Sequence, residues 1–234
     1  MNLSSTKDRT VSVSTEDYLK AIWNLSEASA RREASTGDLA GALRVSPAAI
    51  SKMLKALQKQ TLVTHTPYHG VRLTKRGRLI ALKTIRRHRL LERFLAETLG
   101  YPLESLHDEA ERLEHHISEE FEQRIDSLLG NPVQCPHGSP IPTALGEIVT
   151  AHGEPLAEIE PPASLRVERL RTSDAGLQRH LSEHGILPGA TVKLVKREPF
   201  DGDLTLDVGK ARVTLSAAAA RGVIVARGGD TDGG

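Results

Sequence analysis

Four residues of one short stretch, His107, Glu111, Glu114 and His115, lie at relative positions 0, 4, 7 and 8. On an α-helix their side chains fall within an arc of about 100°. Imidazole nitrogens and carboxylate oxygens converging on one face form a donor set for a divalent metal ion. The surrounding segment, ESLHDEAERLEHHISEEFEQRID from Glu104 to Asp126, carries nine acidic residues and three histidines. An apolar stripe of Leu106, Ala110, Leu113, Ile117, Phe121, Ile125 and Leu128 adjoins the four. Carboxylates bordering a buried stripe are costly unless a cation compensates them. Upstream, His88 and Glu92 stand at i, i+4 and so share one helix face. If their helix packs antiparallel on the acidic one, six potential ligands meet. Taken singly each residue has a plainer use, such as Glu92 pairing with Arg89 or Arg93; taken together they favour a metal.

Catalysis is the weaker reading. His107-Asp108 resembles the adjacent pair of metal phosphohydrolases, but it is a single dipeptide. Glu111-x-x-Glu114-His115 lacks the first histidine of an inverted zinc-protease motif. No Gly-rich phosphate loop, serine elbow or CxxC pair is present in the sequence.

The elements that must position these ligands follow from periodicity and turn signals. Thr15 is the expected N-cap of a first helix, TEDYLKAIWNLSEA. Leu39, Ala40 and Leu43 mark a short second helix, Arg44 to Ser46 a break, and Ser46-Pro47 the start of a third with Ile50, Met53, Leu54 and Leu57 on one face. Two short helices joined by a tight turn are the pattern of helix-turn-helix DNA binding. LVTHTPYHGVRLT then reads as two strands around a Tyr-His-Gly turn, making the unit a winged helix; a generic three-helix bundle with a hairpin is the alternative. The third helix would present Ser46, Pro47, Ala48, Ala49, Ser51, Lys52 and Lys55 to a major groove, with Tyr68, Arg72 and Lys75 at the wing. Arg76 adds a phosphate contact there and a steep salt dependence.

Lys75 to Leu99 reads as one long basic helix closed by Gly100, followed from Pro102 by the acidic helix, which runs to Gly130-Asn131-Pro132. The CPHGSPIP stretch is too proline-rich for regular structure. Residues 146–162 read as a linker, residues 163–227 as a small β-barrel with one short helix from Asp174 to His184, and 228–234 as a disordered tail.

Charge and composition limit the function classes. The net charge of +1 hides segregation: Arg72 to Arg93 holds nine Lys/Arg and one acid, and the acidic block follows. A basic block suits a polyanion and an acidic one a cation, although two solvated helix faces would look the same. With only seven aromatic residues, the cores must be aliphatic. No apolar run reaches the roughly 18 residues that span a membrane, and no signal-peptide core is seen, so a soluble cytoplasmic protein is expected. A single cysteine, Cys135, fits a reducing compartment and reads as a structural or incidental thiol.

The order winged helix, RRHRLLERFL, HDEAERLEHHISEE, CPHGSPIP and a terminal barrel with HGILPGATVKLV resembles the diphtheria-toxin-repressor family of metal-dependent regulators over residues 12 to 227. The resemblance implies a mainly α N-terminal winged helix (1–74), a helical metal-binding and dimerisation domain (75–145) and an all-β SH3-like barrel of the FeoA type (163–227). It implies a primary metal site of Asp17, Glu111, Glu114 and His115, and an ancillary site of His88, Glu92 and His107 to which Asp174 carries over from the barrel. Oxygen donors at Asp17 and Glu111, where iron-sensing relatives carry Met and Cys, tilt the choice toward Mn(II). Fe(II) is the alternative, with Co, Ni, Zn and Cd substituting in vitro. Lys20 departs from the manganese branch, which often has Glu there. The expected protein is a homodimeric repressor of metal-uptake genes, not an enzyme, on an inverted-repeat operator. Metal would relieve repulsion among Asp17, Glu111 and Glu114, and a shift of ~2 kcal/mol would change the DNA-competent population about thirtyfold. A winged-helix regulator answering a small organic ligand is the second hypothesis, a metal hydrolase the third.

Overall fold

The computed structural model describes residues 11–29, 32–66, 70–149, 153–200 and 202–227. Two compact units are present: the described residues of Met1–Arg87 with Pro142–Ile148, and those of His88–Ile141 with Val149–Gly234.

The first unit begins with α1 (Val13–Ala28). Its N-cap is Ser12 rather than Thr15: the Ser12 hydroxyl accepts from the Thr15 amide and lies 3.0 Å from the Thr15 hydroxyl. An earlier capping hydroxyl therefore places Thr15 in the first turn. Helix α2 (Thr36–Leu43) ends at Arg44 in the left-handed region, and Ser46 caps α3 (Pro47–Lys59) through the Ala49 amide with Pro47 at its first position. Proline costs nothing there, because that amide has no helical partner. Strands β1 (Val63–Thr66) and β2 (Gly70–Leu73) pair antiparallel, with Thr66 opposite Gly70, and Ala34 bridges to Val71 on the far edge. Tyr68 lies outside the described residues. Leu19, Ile22, Leu39, Ile50, Leu54, Leu57 and Leu62 form a mainly aliphatic core that also takes in Tyr18 and Trp23.

Helix α4 (Lys75–Glu97) starts in the first unit and continues into the second. Thr74 ties its start to the hairpin, accepting from Gly77 N–H and donating to the Leu62 carbonyl. A Cβ on Gly77 would sit 2.0 Å from that carbonyl oxygen.

In the second unit, α5 (Leu103–Leu113) and α6 (Glu119–Leu128) replace the single acidic helix expected. Ser118 caps Phe121 N–H, and Glu119, Glu120 and Glu122 favour a fresh helix start through the dipole at its N-terminus. Leu90, Leu91 and Leu95 of α4 pack with Leu106, Ala110 and Ile125, while Phe121 and Leu128 of the expected stripe stay 42% and 66% exposed.

Within the segment read as a linker, residues from Glu154 onward belong to the β domain. Strand β3 (Glu154–Pro155) pairs with the last strand, and Leu156 at the head of a 3-10 turn (Leu156–Glu158) is buried in the core, because an apolar residue beside a sheet edge gains more inside than out. Then come β4 (Ala163–Leu170), α7 (Ala175–Glu183), β5 (Thr191–Arg197), β6 (Leu204–Val208), β7 (Ala211–Leu215), α8 (Ala217–Ala220) and β8 (Val223–Arg227). The sheet is antiparallel in the order β3-β8-β4-β5-β6-β7. The expected tail, 228–234, lies outside the described residues.

Within an exposed helix, glycine to alanine ordinarily gains about 1 kcal/mol. At position 77 the sign reverses, because the new methyl would overlap backbone that cannot swing away. Gly77→Ala should cost about 1–3 kcal/mol and lower the thermal midpoint by several degrees in a calorimetric scan.

Candidate metal centre

His88 and Glu92 lie one turn apart on the buried side of α4, beside Leu91 and Leu95. Helix α5 carries His107 and Glu111; Glu114 is its C-cap, its amide still donating to the Ala110 carbonyl, and His115 lies in the turn beyond rather than on the same helix as expected. Together they form a run of alternating imidazoles and carboxylates. His115 Nε2 lies 3.2 Å from Glu114 Oε1, and Glu114 Oε2 lies 2.6 Å from His88 Nδ1. His88 Nε2 is 3.2 Å from Glu92 Oε1, and the same oxygen is 3.2 Å from His137 Nδ1. All five residues are buried, Glu114 completely. His107 borders the run, with Nδ1 3.2 Å from His88 Nε2, and Glu111 Oε1 stands 3.7 Å from His88 Nδ1.

Burial by itself would raise the Glu92 carboxyl, but the charge of His88 and hydrogen bonds from His137 and His88 outweigh it and hold the group well below its ordinary range. Buried anions of this kind need cationic partners. Burial, reinforced by the Glu92 carboxylate, pushes the Cys135 thiol far up, so it keeps its proton.

Three sets in the second unit offer one ligand atom per residue within 4.8 Å of one another: His88, Glu92 and His107; His88, Glu111 and Glu114; and Glu92, Cys135 and His137. The donor chemistry fits a divalent ion, and His137 Nε2 is a buried polar atom without a hydrogen-bond partner. The third set brings Cys135, read as a structural or incidental thiol, beside Glu92 and His137. Its signal was the Cys-x-His spacing in the proline loop, which proximity to Glu92 turns into a donor pair.

The other expected residues are placed as follows. Asp17 is half-buried on α1 in the first unit, and Lys20 is buried on the same helix. Asp174 is exposed and uses its Oδ1 to cap Leu177 N–H at 2.7 Å, so its carboxylate serves α7 rather than joining these clusters. On α3, Ser46, Pro47, Ala48, Ser51, Lys52 and Lys55 are exposed and Ala49 is half-buried. Arg72 is exposed but paired with Glu33 at 2.7 Å, and Lys75 is exposed.

A helix-turn-helix with a wing, followed by a buried imidazole–carboxylate centre, defines a metal-dependent regulator that reads DNA. Residues 10–71 match the N-terminal DNA binding domain of iron dependent repressors, residues 74–143 their metal binding and dimerisation domain, and residues 154–227 the FeoA domain. The iron-dependent repressor IdeR of Mycobacterium leprae (strain TN) is 30% identical over 223 residues, covering 90% of this chain and 96% of that protein. A manganese-dependent transcriptional repressor solved in complex with manganese superposes with a TM-score of 0.85 at 36% identity, covering 91% of this chain and 99% of that one. ScaR with bound Cd2+ superposes at 0.80 with 31% identity, covering 91% and 99%. The chain belongs to the diphtheria-toxin-repressor family of metal-dependent DNA-binding transcriptional repressors, a family of regulators rather than enzymes.

Glu114→Gln keeps the shape of the side chain but removes the charge shared by His88 and His115. A ligand held at 100 times its dissociation constant stabilises a protein by about 2.7 kcal/mol. Saturating Mn(II) should therefore raise the melting temperature of the parent chain by several degrees and leave that of Glu114→Gln nearly unmoved. An equal rise in both proteins would remove Glu114 from the binding set.

Proposed function

We propose that this chain is a homodimeric repressor of metal-uptake genes, acting in the cytoplasm and activated by Mn(II), with Fe(II) as the alternative. The carrying observation is the oxygen-rich donor set around Glu114: Glu111 and Glu114 offer carboxylates where a softer site would offer sulfur. The manganese named in the solved relative and the iron in the name of the mycobacterial one support a divalent first-row metal and leave the choice to the donors.

In this reading Glu111, Glu114 and His115 hold the primary ion with Asp17, and His88, Glu92 and His107 hold the ancillary one. A bound divalent ion supplies the positive charge that lets these carboxylates lie together. Asp17 is the donor from the DNA-reading part, so its carboxylate makes the placement of α1 depend on occupancy. The exposed N-terminal face of α3 enters the major groove, small Ser46, Ala48 and Ser51 permitting close approach while Lys52 and Lys55 reach bases or phosphates. Arg72 and Lys75 add phosphate contacts beside the wing, Arg72 by exchanging its Glu33 partner for a phosphate. Two copies on an inverted repeat place their reading helices about one DNA turn apart. The exposed apolar side chains Phe121 and Leu128 supply surface for the second copy.

An electrophoretic shift titrated with Mn(II), Fe(II), Co(II) and Zn(II) tests this. Mn(II) should produce the retarded complex at the lowest free concentration, and EDTA should abolish it. Operator binding that survives EDTA unchanged would instead support a non-metal effector. Asp17→Ala should need at least ~10-fold more Mn(II) for half-maximal binding, an effect of the size that donor-network losses produce. Lys52→Ala with Lys55→Ala should weaken DNA binding without changing the metal requirement.

A further inference from the structure

Helix α7 carries a second set of metal-ligating side chains, remote in sequence from the centre built on α4 and α5. His180, Glu183 and His184 stand at i, i+3 and i+4, completing the H-x-x-E-H spacing that Glu111 to His115 lacks. At that spacing the two imidazoles share one helix face. Their ring centroids are 4.4 Å apart with 47° between the planes, and both residues are half-buried. The turn that holds them is fixed at its end. Gly185, at φ 70°, closes α7: its N–H donates to the Ser182 carbonyl at 3.0 Å, and Ile186 N–H reaches back to the Leu181 carbonyl at 2.8 Å. Leu181 and Ile186 are buried in the β-domain core, so swinging the turn outward would expose both. His184 is fixed within the turn as well. Its Nδ1 lies 2.8 Å from the His180 carbonyl oxygen, which can only accept, so in the neutral ring Nδ1 carries the proton and Nε2 presents its lone pair. A ring N–H donating to a backbone carbonyl is how metal-bound histidines are ordinarily oriented.

We propose that His180 and His184 form a Zn(II) site in the β domain, sharing no residue with the clusters on α4, α5 and the proline loop. Imidazole nitrogen suits Zn(II), whereas Mn(II) favours oxygen donors. The pair lies at the carbonyl end of α7, where the helix dipole favours positive charge, and Glu183 adds an exposed carboxylate next to it. Among the described residues no third His, Cys, Asp or Glu joins the two in a ligand set, which leaves the other coordination positions to water. A catalytic zinc takes three protein ligands, so this site binds its ion without acting on a substrate. The ion ties together the last turn of α7, the helix that Arg179 holds to α5 through Glu104 at 3.0 Å.

Zinc titration of the full-length protein, read from the side-chain imidazole nitrogens by NMR, tests this. Zn(II) should move the Nε2 resonance of His184 and a ring resonance of His180. Calorimetry should count one more ion per parent chain than per chain of His180→Gln or His184→Gln. Losing either ring turns a chelate into a single donor and should weaken this site on the order of 100-fold. Equal counts in all three proteins overturn the proposal, as do His180 and His184 rings that stay unmoved once the central clusters are filled. If the glutamine variants fail to fold, the parent's imidazole shifts decide alone: movement of both rings supports the site, and movement of one or neither overturns it.

Discussion

A wholly buried carboxylate must be met by positive charge or by hydrogen-bond donors, and Glu114 imposes that condition on the middle of this chain. His88 meets one of its oxygens and His115 the other. Glu92 repeats the condition one turn further along α4, with His88 on one side and His137 on the other. Each imidazole of the run answers a carboxylate, and both carboxylates contact two imidazoles. Removing one member leaves a neighbour buried and unmatched, which is far costlier than losing an exposed ion pair such as Arg124–Glu120. The arrangement thus holds α4, α5 and the proline loop in one register while keeping their donors converged.

That convergence gathers donors of two kinds. Around Glu111 and Glu114 the available atoms are oxygens and imidazole nitrogens. Around Glu92 a sulfur joins them, held as a thiol by burial and by the nearby carboxylate. The hard and soft donor sets share α4, through His88 and Glu92. Glu119 and Glu120 are exposed and favour the start of α6, a local helical role that needs no ion.

Much of this was legible in the residue order. Ser46-Pro47 marked the start of α3 because capping and proline placement are properties of the local chain. The i, i+4 pairs His88 with Glu92 and His107 with Glu111 were readable for the same reason, since helical spacing alone puts each on one face, whereas Glu114 and His115 stand past the end of α5, in the turn before α6. The division of the acidic helix was less visible: periodicity runs across Ser118 without interruption, and only the competing cap there separates α5 from α6. The strand at Glu154–Pro155 was hidden because two residues carry no alternation, and their partner, β8, is far away in sequence.

Residue order by itself determined the elements, the aliphatic cores, the DNA-reading helix pair and the identity of the carboxylates and imidazoles that gather near Glu114. It did so because caps, turns and helical periodicity depend on neighbours within a few residues. Tertiary structure alone decided that Cys135 and His137 lie beside Glu92. That outcome depends on which irregular segment lies against which helix. That placement is set by arginine-to-carbonyl bonds from α4 and packing on β4, and no local pattern in the chain encodes it.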